Sequence, residues 1–325
     1  MKLLANCLKK RPLKASFCYI IILMKKFWFG IMVTALIAAV VVLIFGNSAP
    51  RDYMVVATNF PAYDFARAVV GEENVKMILP PGSDVHHFEP SPQDIVAIEN
   101  AKLLVYNGGE SEEWVEDLLG NRPDGFNVKM MDLFTLLNEA PVEAGDTAED
   151  EYDEHIWTSP KNASKIITGI AEAASQIWPK HTETYQQNSE RYISELSTID
   201  GVLREVVSDA HRKTLVFGDR FPFLYFVKEY GLDFEAAFPG CAEETEADAK
   251  TLTRLIDYVK KYQIPVVLKV DLSSGSIAET IARETGARVL TLNSAHTVTK
   301  DDFAAHKTYL DLMRENIQVI KEALK

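Results

Sequence analysis

Two adjacent histidines, His86 and His87, stand in the segment GSDVHHFEPSP, which has too many prolines and small residues for a helix or a strand. Two more, His155 and His296, also lie in segments that read as loops. Imidazole is the commonest side chain for binding Zn²⁺ in proteins. A local hydrogen bond is the better explanation for any one of these histidines alone. Together they predict a metal site if the fold brings their loops to one place.

The loops belong to a regular alternation of strand-like and helix-like segments. Short β-branched or aliphatic runs recur, and each is followed by a stretch that is compatible with a helix. This alternation predicts an α/β fold of mainly parallel sheets with helices on both faces. Four runs in each half predict two similar four-stranded lobes rather than one large sheet. The predicted strands are 53–58, 76–79, 103–106, 128–131, 214–217, 234–237, 266–270 and 288–292.

Three of the histidine positions fall where a sheet of this kind binds its ligands. In open parallel sheets, ligands bind outside the carboxyl ends of the strands, where loops from separate units converge. His86 follows the strand 76–79 and His296 follows the strand 288–292, while His155 ends an irregular acidic segment. The three side chains therefore could meet at one site. Surface positions are the better explanation of the other three histidines, namely His181, His211 and His306.

A long helical segment joins the two predicted lobes. Residues 180–210 contain no proline and place apolar side chains at a spacing of three to four residues. The spacing predicts one helix of about 30 residues, roughly 45 Å long at 1.5 Å per residue. Such a helix acts as a strut and limits closure of the lobes around a ligand. The predicted parts are an N-terminal lobe (51–179), a linking helix (180–211) and a C-terminal lobe (212–325).

The first 50 residues indicate the compartment. Residues 1–26 are basic and have no acidic side chain, and an uncharged apolar run follows at 27–45. The run is long enough to cross most of a bilayer as a helix, with its basic flank inside. A cleaved signal peptide and a retained membrane anchor both fit, and we favour the anchor because no A-x-A site precedes Pro50. The rest of the chain is then extracytoplasmic, anchored or secreted, and Met24 would serve as an alternative translation start.

The exported part of the chain is strongly acidic. The whole chain has a net charge of -13 at pH 7, although its N-terminal stretch contributes only positive charges. This acidity argues against nucleic acid as a partner and favours solubility and the attraction of cations. Only Cys241 lies beyond the apolar run, so an intramolecular disulfide cannot form there and a conventional core must stabilise the fold. We expect a monomer.

One acidic segment interrupts the regular pattern. Residues 139–154, EAPVEAGDTAEDEYDE, are rich in carboxylates and almost free of large apolar side chains. This composition predicts a mobile, solvated loop. The loop is either a disordered insert or a weak collector of cations beside a site, and its place directly before His155 keeps the second interpretation open.

Two loop segments match the ligand loops of a known family, in the same order along the chain. GSDVHHFEPSPQDI is similar to G-x-D-P-H-x-[FY]-E-P-[ST]-P, and DEHIWTSP is similar to D-x-H-x-W-[LT]-[SD]-P. FGDRFPFLYFVKEYGL and the closing YLDLMRENIQVIKEALK also look like family segments. From residue 53 to residue 325, the chain thus resembles the metal-binding solute receptors of zinc and manganese ABC transporters, the cluster A-I group. The resemblance implies that His86 and His155 are metal ligands.

The resemblance leaves the third and fourth ligands open. The family draws its third ligand, His or Glu, from a segment that here reads FGDR. Because Arg220 cannot bind a cation, Asp219 is the best substitute in that segment. The family's fourth ligand is an aspartate before a serine in the last loop, and this chain has asparagine there. His296, a few residues further on, could take its place.

Other polar residues near these loops are candidates for supporting roles. His87 is expected at the rim of the site, because the side chain next to a ligand points elsewhere. Glu89 either accepts the second N–H of a ligand histidine or caps the following helix. Asp153 and Asp271 are further carboxylates that could support the ligands. A thiolate at Cys241 would favour a soft metal, although a buried, unreactive cysteine explains it better.

These features predict an extracytoplasmic receptor that binds Zn²⁺, with Mn²⁺ as the alternative, and passes the ion to an ABC permease in the membrane. Three imidazoles and one carboxylate suit Zn²⁺, whereas two of each favour Mn²⁺. The receptor is not expected to be an enzyme. An exported metallohydrolase is the alternative function, because Asp-x-His with another histidine could activate water. The lack of an H-x-H, H-E-x-x-H or nucleophile motif argues against it.

Overall fold

The computed structural model describes the chain in the stretches 54–85, 88–120, 125–135, 153–238 and 248–325, together with Met24, Lys26, Trp28, Phe29 and Met32 near the N-terminus. The chain from Tyr53 to Lys325 forms one compact unit. Most of the apolar run at 27–45 and of the acidic segment at 139–154 lies outside the described residues. Within the described residues, no helix is both long and apolar enough to span a membrane.

Two four-stranded parallel sheets form the framework of the described chain. The strands are β1 Val55–Ala57, β2 Val75–Met77, β3 Leu103–Tyr106, β4 Phe126–Lys129, β5 Thr214–Phe217, β6 Asp233–Ala236, β7 Val266–Val270 and β8 Arg288–Leu292. Their order is β2-β1-β3-β4 in the first sheet and β6-β5-β7-β8 in the second, so the two halves share one topology. The predicted two-lobed α/β fold is confirmed.

Helices alternate with these strands, and several begin at a side chain that caps their first turn. Asn59, Ser91 and Ser159 each accept a hydrogen bond from a backbone N–H of the helix that follows, and a proline stands in its first turn. The helices are α1 Phe60–Val70, α2 Pro92–Asn100, α3 Glu113–Leu119, α4 Asp132–Thr135, α5 Pro160–Ile177, α6 Thr182–Ser208, α7 Leu224–Tyr230, α8 Ala249–Tyr262, α9 Ser276–Thr285, α10 Lys300–Ala304 and α11 Tyr309–Ala323.

Both faces of each sheet are covered by apolar side chains. In β1, Val55 belongs to the main hydrophobic core, while Val56 belongs to a second cluster on the other face. In β7, Val266 and Val267 are divided between two cores in the same way. A strand that is buried on both faces reads as a continuous apolar run rather than as an alternation. This burial explains why the sequence shows the strands as short aliphatic runs.

The long helix α6 lies in the segment that is predicted to be a strut. It runs from Thr182 to Ser208, which corresponds to about 40 Å at 1.5 Å per residue. One face of the helix is buried, with Tyr185, Ser189, Leu196, Ile199, Leu203 and Val207. Helix α6 contacts α1 and α5 from the first half of the chain and α11 from the second. It therefore packs against elements of both lobes.

Candidate metal centre

A cavity of about 180 Å³ lies at the carboxyl ends of the strands. Its walls come from the segments that follow β2, β5, β7 and β8 and from the segment that precedes α5. The side chains that line it include Asp84, His155, Arg220, Asp271, Ser294 and His296. This is the edge at which the topology brings together loops from both sheets. It is therefore the place where a ligand of this fold is expected.

Two of the predicted histidine ligands meet in this cavity. The ring centroids of His155 and His296 lie 5.1 Å apart, and the rings are perpendicular. His155 is 2% exposed and His296 is 7% exposed, although each stands on a loop far from the other in sequence. The fold thus brings two imidazole rings from separate loops into contact in one cavity.

Asp153 orients the ring of His155. Its Oδ1 atom lies 3.1 Å from Nδ1 of His155 and also accepts a 2.8 Å hydrogen bond from the backbone N–H of that histidine. A carboxylate at this position favours the tautomer that has its proton on Nδ1, so the lone pair lies on Nε2. A carboxylate behind the far nitrogen is the usual support of a histidine that binds a metal. The arrangement fits the supporting role that the sequence suggests for Asp153.

Trp157 holds the two histidine loops together. Its indole nitrogen donates a 2.9 Å hydrogen bond to the carbonyl oxygen of Ser294, two residues before His296. The Trp157 ring lies 5.4 Å from the ring of His155 and 4.8 Å from that of His296, measured between centroids. The carbonyl oxygen of Trp157 accepts a 2.5 Å hydrogen bond from the hydroxyl of Tyr309. Sequence reasoning gives Trp157 no role, because its partners are distant along the chain.

Asp271 is the carboxylate that follows β7 and lines the cavity. Its Oδ1 atom accepts a 2.5 Å hydrogen bond from the backbone N–H of Ser294, which connects it to the loop of His296. Burial raises the pKa of Asp271 above its ordinary value, while hydrogen bonds from Ser294 and the charge of Arg220 act in the opposite direction. A divalent cation in the cavity would favour the ionised carboxylate further.

Asp219, the carboxylate that the sequence favours as a ligand, is bonded differently. It is buried, and its Oδ1 atom accepts a 2.9 Å hydrogen bond from the backbone N–H of Arg220. Its Oδ2 atom accepts a 3.2 Å hydrogen bond from the backbone N–H of Val270. These bonds connect the end of β5 to the end of β7. Of the two carboxylates, the structure brings Asp271 to the cavity wall and engages Asp219 with the backbone.

Three of the predicted site residues, His86, His87 and Cys241, lie outside the described residues. Among the side chains that are described, no group of three or more His, Cys, Asp and Glu residues is arranged to hold a metal ion. His155 and His296 therefore form a pair of candidate donors, Asp271 lies in the wall of the same cavity, and His86 is a ligand only by prediction. Imidazole and carboxylate donors of this kind fit Zn²⁺.

The remaining candidates occupy the surface. Glu89 is exposed, and the cap of α2 is formed by Ser91 and Asp94 in a reciprocal capping box. The histidines with predicted surface positions, His181, His211 and His306, are exposed. His306 is paired with Glu72, whose Oε1 lies 2.9 Å from its Nδ1.

Glu112 is a buried carboxylate at the same sheet edge, and sequence reasoning does not single it out from its acidic neighbours. Its Oε1 atom accepts a 3.0 Å hydrogen bond from the side chain of Asn59, after β1. Its Oε2 atom accepts bonds of 2.7 and 3.0 Å from the backbone N–H groups of Asn107 and Gly108, after β3. The side chain of Asn107 in turn donates to the carbonyl oxygen of Glu154, next to His155. Burial raises the pKa of Glu112 to about 7, although the backbone hydrogen bonds from Gly108 and Asn107 act in the opposite direction.

We expect Glu112 to make the metal-free protein less stable as the pH rises. The pKa of Glu112 is about 7 in the folded chain, whereas the ordinary value is 4.5. The folded state therefore binds the proton more tightly than the unfolded state does. The resulting stability is fully present below pH 4.5 and is lost as the pH rises through about 7. Between about pH 5 and pH 7, the free energy of unfolding should fall by about 2 kcal/mol through this group.

Denaturant unfolding across this pH range measures the effect. In Glu112→Gln the group cannot titrate, so the difference in unfolding free energy between wild type and variant should fall by about 2 kcal/mol from about pH 5 to pH 7. Glu99→Gln, a change of the same type at an exposed position on α2, is the matched control and should keep a constant difference. A constant difference for Glu112→Gln as well would contradict the prediction.

The chain matches known proteins over almost all of its described part. Residues 55–323 match the family described as zinc-uptake complex component A, periplasmic. The zinc-binding lipoprotein AdcA of Streptococcus pneumoniae is 30% identical over 277 residues, which are 82% of this chain and 55% of that protein. This chain thus spans about half the length of that relative. The high-affinity zinc uptake system protein ZnuA of Bacillus subtilis is 30% identical over 322 residues, covering 93% of this chain and 99% of that protein.

A solved structure agrees with these sequence matches. The crystal structure of the Zn(II)-bound ZnuA-like domain of Streptococcus pneumoniae AdcA superposes with a TM-score of 0.69 at 29% identity. The match covers 83% of this chain and 98% of that one. Three findings agree: the family match covers residues 55–323, one relative is matched along nearly its whole length, and the two-lobed fold is shared. The chain belongs to the family of zinc-uptake complex component A, the ZnuA family.

Proposed function

We propose that the protein is an extracytoplasmic solute-binding protein that captures Zn²⁺ in the cavity between its lobes and delivers it to an ABC permease. The observation that supports this function best is the meeting of His155 and His296, whose rings lie 5.1 Å apart in a cavity at the strand ends. Family membership and the names of the zinc-uptake relatives support the same function.

The proposed ligands are His86, His155 and His296, with one carboxylate. Asp271 is the better candidate for that carboxylate, because it lines the cavity, whereas both oxygens of Asp219 accept backbone hydrogen bonds. Three imidazoles and one carboxylate suit Zn²⁺ better than Mn²⁺, which remains the alternative ion. In this proposal the ion is the transported substrate and not a cofactor, and the protein is not an enzyme.

The proposal includes the arrangement of the chain at the membrane. The segment before residue 51 directs the chain across the membrane, either as a retained anchor or as a cleaved signal peptide, and the protein acts as a monomer. The N-terminal lobe spans 51–179, the linking helix 180–211 and the C-terminal lobe 212–325. The acidic net charge of -13 supports attraction of cations towards the extracytoplasmic part.

Zinc should raise the melting temperature of the protein. A ligand that binds only the folded state stabilises it by about 2.7 kcal/mol when its free concentration is 100 times its dissociation constant. Calorimetry of the full chain after removal of metal by a chelator, with and without Zn²⁺, measures the shift. Mn²⁺ tests the alternative ion, and Mg²⁺ is the control because it prefers oxygen ligands and keeps its bound water.

The outcomes of this experiment are distinct. A shift with Zn²⁺, reversed by the chelator, supports the proposed function, and a larger shift with Mn²⁺ changes the identity of the ion. If neither ion changes the melting temperature, the receptor function fails. Assays of the zinc-loaded protein for ester, amide and phosphate hydrolysis address the enzyme alternative, and turnover that disappears on chelation would contradict the proposal.

A further inference from the structure

Arg220 places a positive charge in the cavity that is proposed to bind a cation. Its side chain lines the cavity together with His155, His296 and Asp271. Its charge is one of the influences that lower the pKa of Asp271. A guanidinium stays protonated at all physiological pH values and cannot be a metal ligand. Zinc binding alone therefore does not explain why an arginine stands at this position.

The ion pair of Arg220 leaves much of its hydrogen-bonding capacity unused. Its Nη1 atom lies 3.7 Å from Oδ2 of Asp84, beyond the 2.7–2.9 Å of a charge-assisted hydrogen bond. The two side chains are 25% and 43% exposed, so a pair of this kind contributes little stability. A guanidinium has five N–H donors in a planar fork that matches the oxygens of a carboxylate or phosphate. Among the described residues, Arg220 forms its ion pair with Asp84, through this long contact.

The cavity has room for more than a metal ion. Its volume is about 180 Å³, whereas one water occupies about 30 Å³ in the liquid. Thr297, whose side chain can donate a hydroxyl hydrogen bond, also belongs to the wall. A polyatomic oxyanion therefore fits beside an ion that is held by His155 and His296.

We propose that the cavity binds Zn²⁺ together with a small oxyanion, which lies beside the metal and pairs with the fork of Arg220. The ligand class is a carbonate, phosphate or simple carboxylate. The carboxylates of Asp84 and Asp271 also line the cavity and would repel an anion in the metal-free protein. The anion therefore binds tightly only after the metal, and each of the two ligands strengthens the binding of the other. This inference rests on the proposed function.

Zinc titrations with defined anions test the inference. The full chain is titrated with Zn²⁺ in competition with a fluorescent chelator, in carbonate-free perchlorate buffer and in the same buffer with bicarbonate, phosphate or acetate. Free zinc is set by the chelator, so complexes of zinc with the anion do not enter the comparison. We expect at least one of the three anions to strengthen wild-type zinc binding by about tenfold or more, and the effective anion identifies the class.

The same titrations on two variants locate the effect. Arg220→Gln should bind zinc with the same affinity in all four buffers. Arg288→Gln removes the same charge from an exposed position, where Arg288 pairs with Glu322, and should keep the wild-type dependence on the anion. Melting of metal-free Arg220→Gln checks that the variant is folded. Added anion should also leave the melting temperature of the metal-free wild type unchanged.

Each outcome decides between the two proposals. If wild-type zinc affinity is equal in all four buffers, the anion inference is wrong while the zinc receptor stands. If a folded Arg220→Gln protein keeps the dependence on the anion, Arg220 is not the anion's partner and the inference is overturned. If zinc fails to bind in every buffer, the proposed function itself is wrong.

Discussion

Replacing His155 or His296 with alanine should weaken zinc binding by at least about a hundredfold in each case. Losing a group that only orients a metal ligand already weakens binding by roughly 10- to 100-fold, so the loss of a ligand should have a larger effect. Both rings lie in the cavity, 5.1 Å apart, and both are almost fully buried. Competition titrations against a zinc chelator measure the change. His86→Ala tests the third predicted ligand in the same way.

The exposed histidines provide matched controls for this prediction. His181 and His306 stand at the surface, and His306 is paired with Glu72. Alanine at either position should leave the zinc affinity unchanged within the error of the titration. Wild-type affinity in His296→Ala would remove that residue from the site. Equal losses in the two cavity variants and the two surface variants would show that the titration reports folding rather than coordination.

The carboxylate ligand can be identified with the same assay. Asp271→Asn should weaken zinc binding, because an amide replaces an ionised oxygen at the cavity wall. Asp219→Asn should mainly lower stability, because its two oxygens accept backbone hydrogen bonds from the ends of β5 and β7. If Asp219→Asn lost more zinc affinity than Asp271→Asn while remaining folded, the assignment would be reversed.

The strands and the histidine loops could be predicted from local sequence. Strands such as β3 Leu103–Tyr106 and β7 Val266–Val270 are buried on both faces, and the resulting apolar runs are visible without any knowledge of the fold. The rule that loops converge at the carboxyl ends of parallel strands then places His155 and His296 at one edge. The ends of β1, β2, β4 and β6 differ from the prediction by one or two residues, because the ends of a strand depend on its neighbours.

The walls of the site could not be predicted in this way. Asp219 and Asp271 both follow a strand, and the sequence favours Asp219 because it belongs to a recognised segment. Which carboxylate faces the cavity depends on a bond from Val270 in the neighbouring strand and on one from Ser294 in a distant loop. The role of Trp157 depends on the same loop, since its indole bonds to the carbonyl of Ser294. Such contacts leave no periodic signal in the sequence.

The buried ion pair of Asp64 and Arg67 carries the largest expected effect on stability. Asp64 in α1 is 1% exposed, and its Oδ1 accepts a 2.8 Å hydrogen bond from Nε of Arg67. Its Oδ2 accepts bonds from the hydroxyl of Tyr192 in α6 and from the backbone N–H of Tyr309 at the start of α11, the latter 3.1 Å long. Arg67 donates a 2.9 Å bond to the carbonyl oxygen of Lys307. One carboxylate thus joins helix α1 to helices α6 and α11.

Asp64→Ala should therefore lower the free energy of unfolding by about 3–5 kcal/mol, because it leaves the charge of Arg67 buried without its partner. Denaturant unfolding of the metal-free protein measures the loss. Glu195→Ala breaks the exposed pair with Arg314 and is the control, with an expected loss below about 1 kcal/mol.

The double variant Asp64→Ala/Arg67→Met identifies the cause of this loss. Removing both charges also removes the unpaired buried guanidinium, so the double variant should be more stable than Asp64→Ala alone. It should not reach wild type, because Tyr192 and the backbone of Tyr309 still lack their acceptor. A double variant as unstable as Asp64→Ala would mean that these two lost hydrogen bonds, and not the buried charge, account for the effect. The network would then stabilise the junction of α1, α6 and α11 through hydrogen bonding alone.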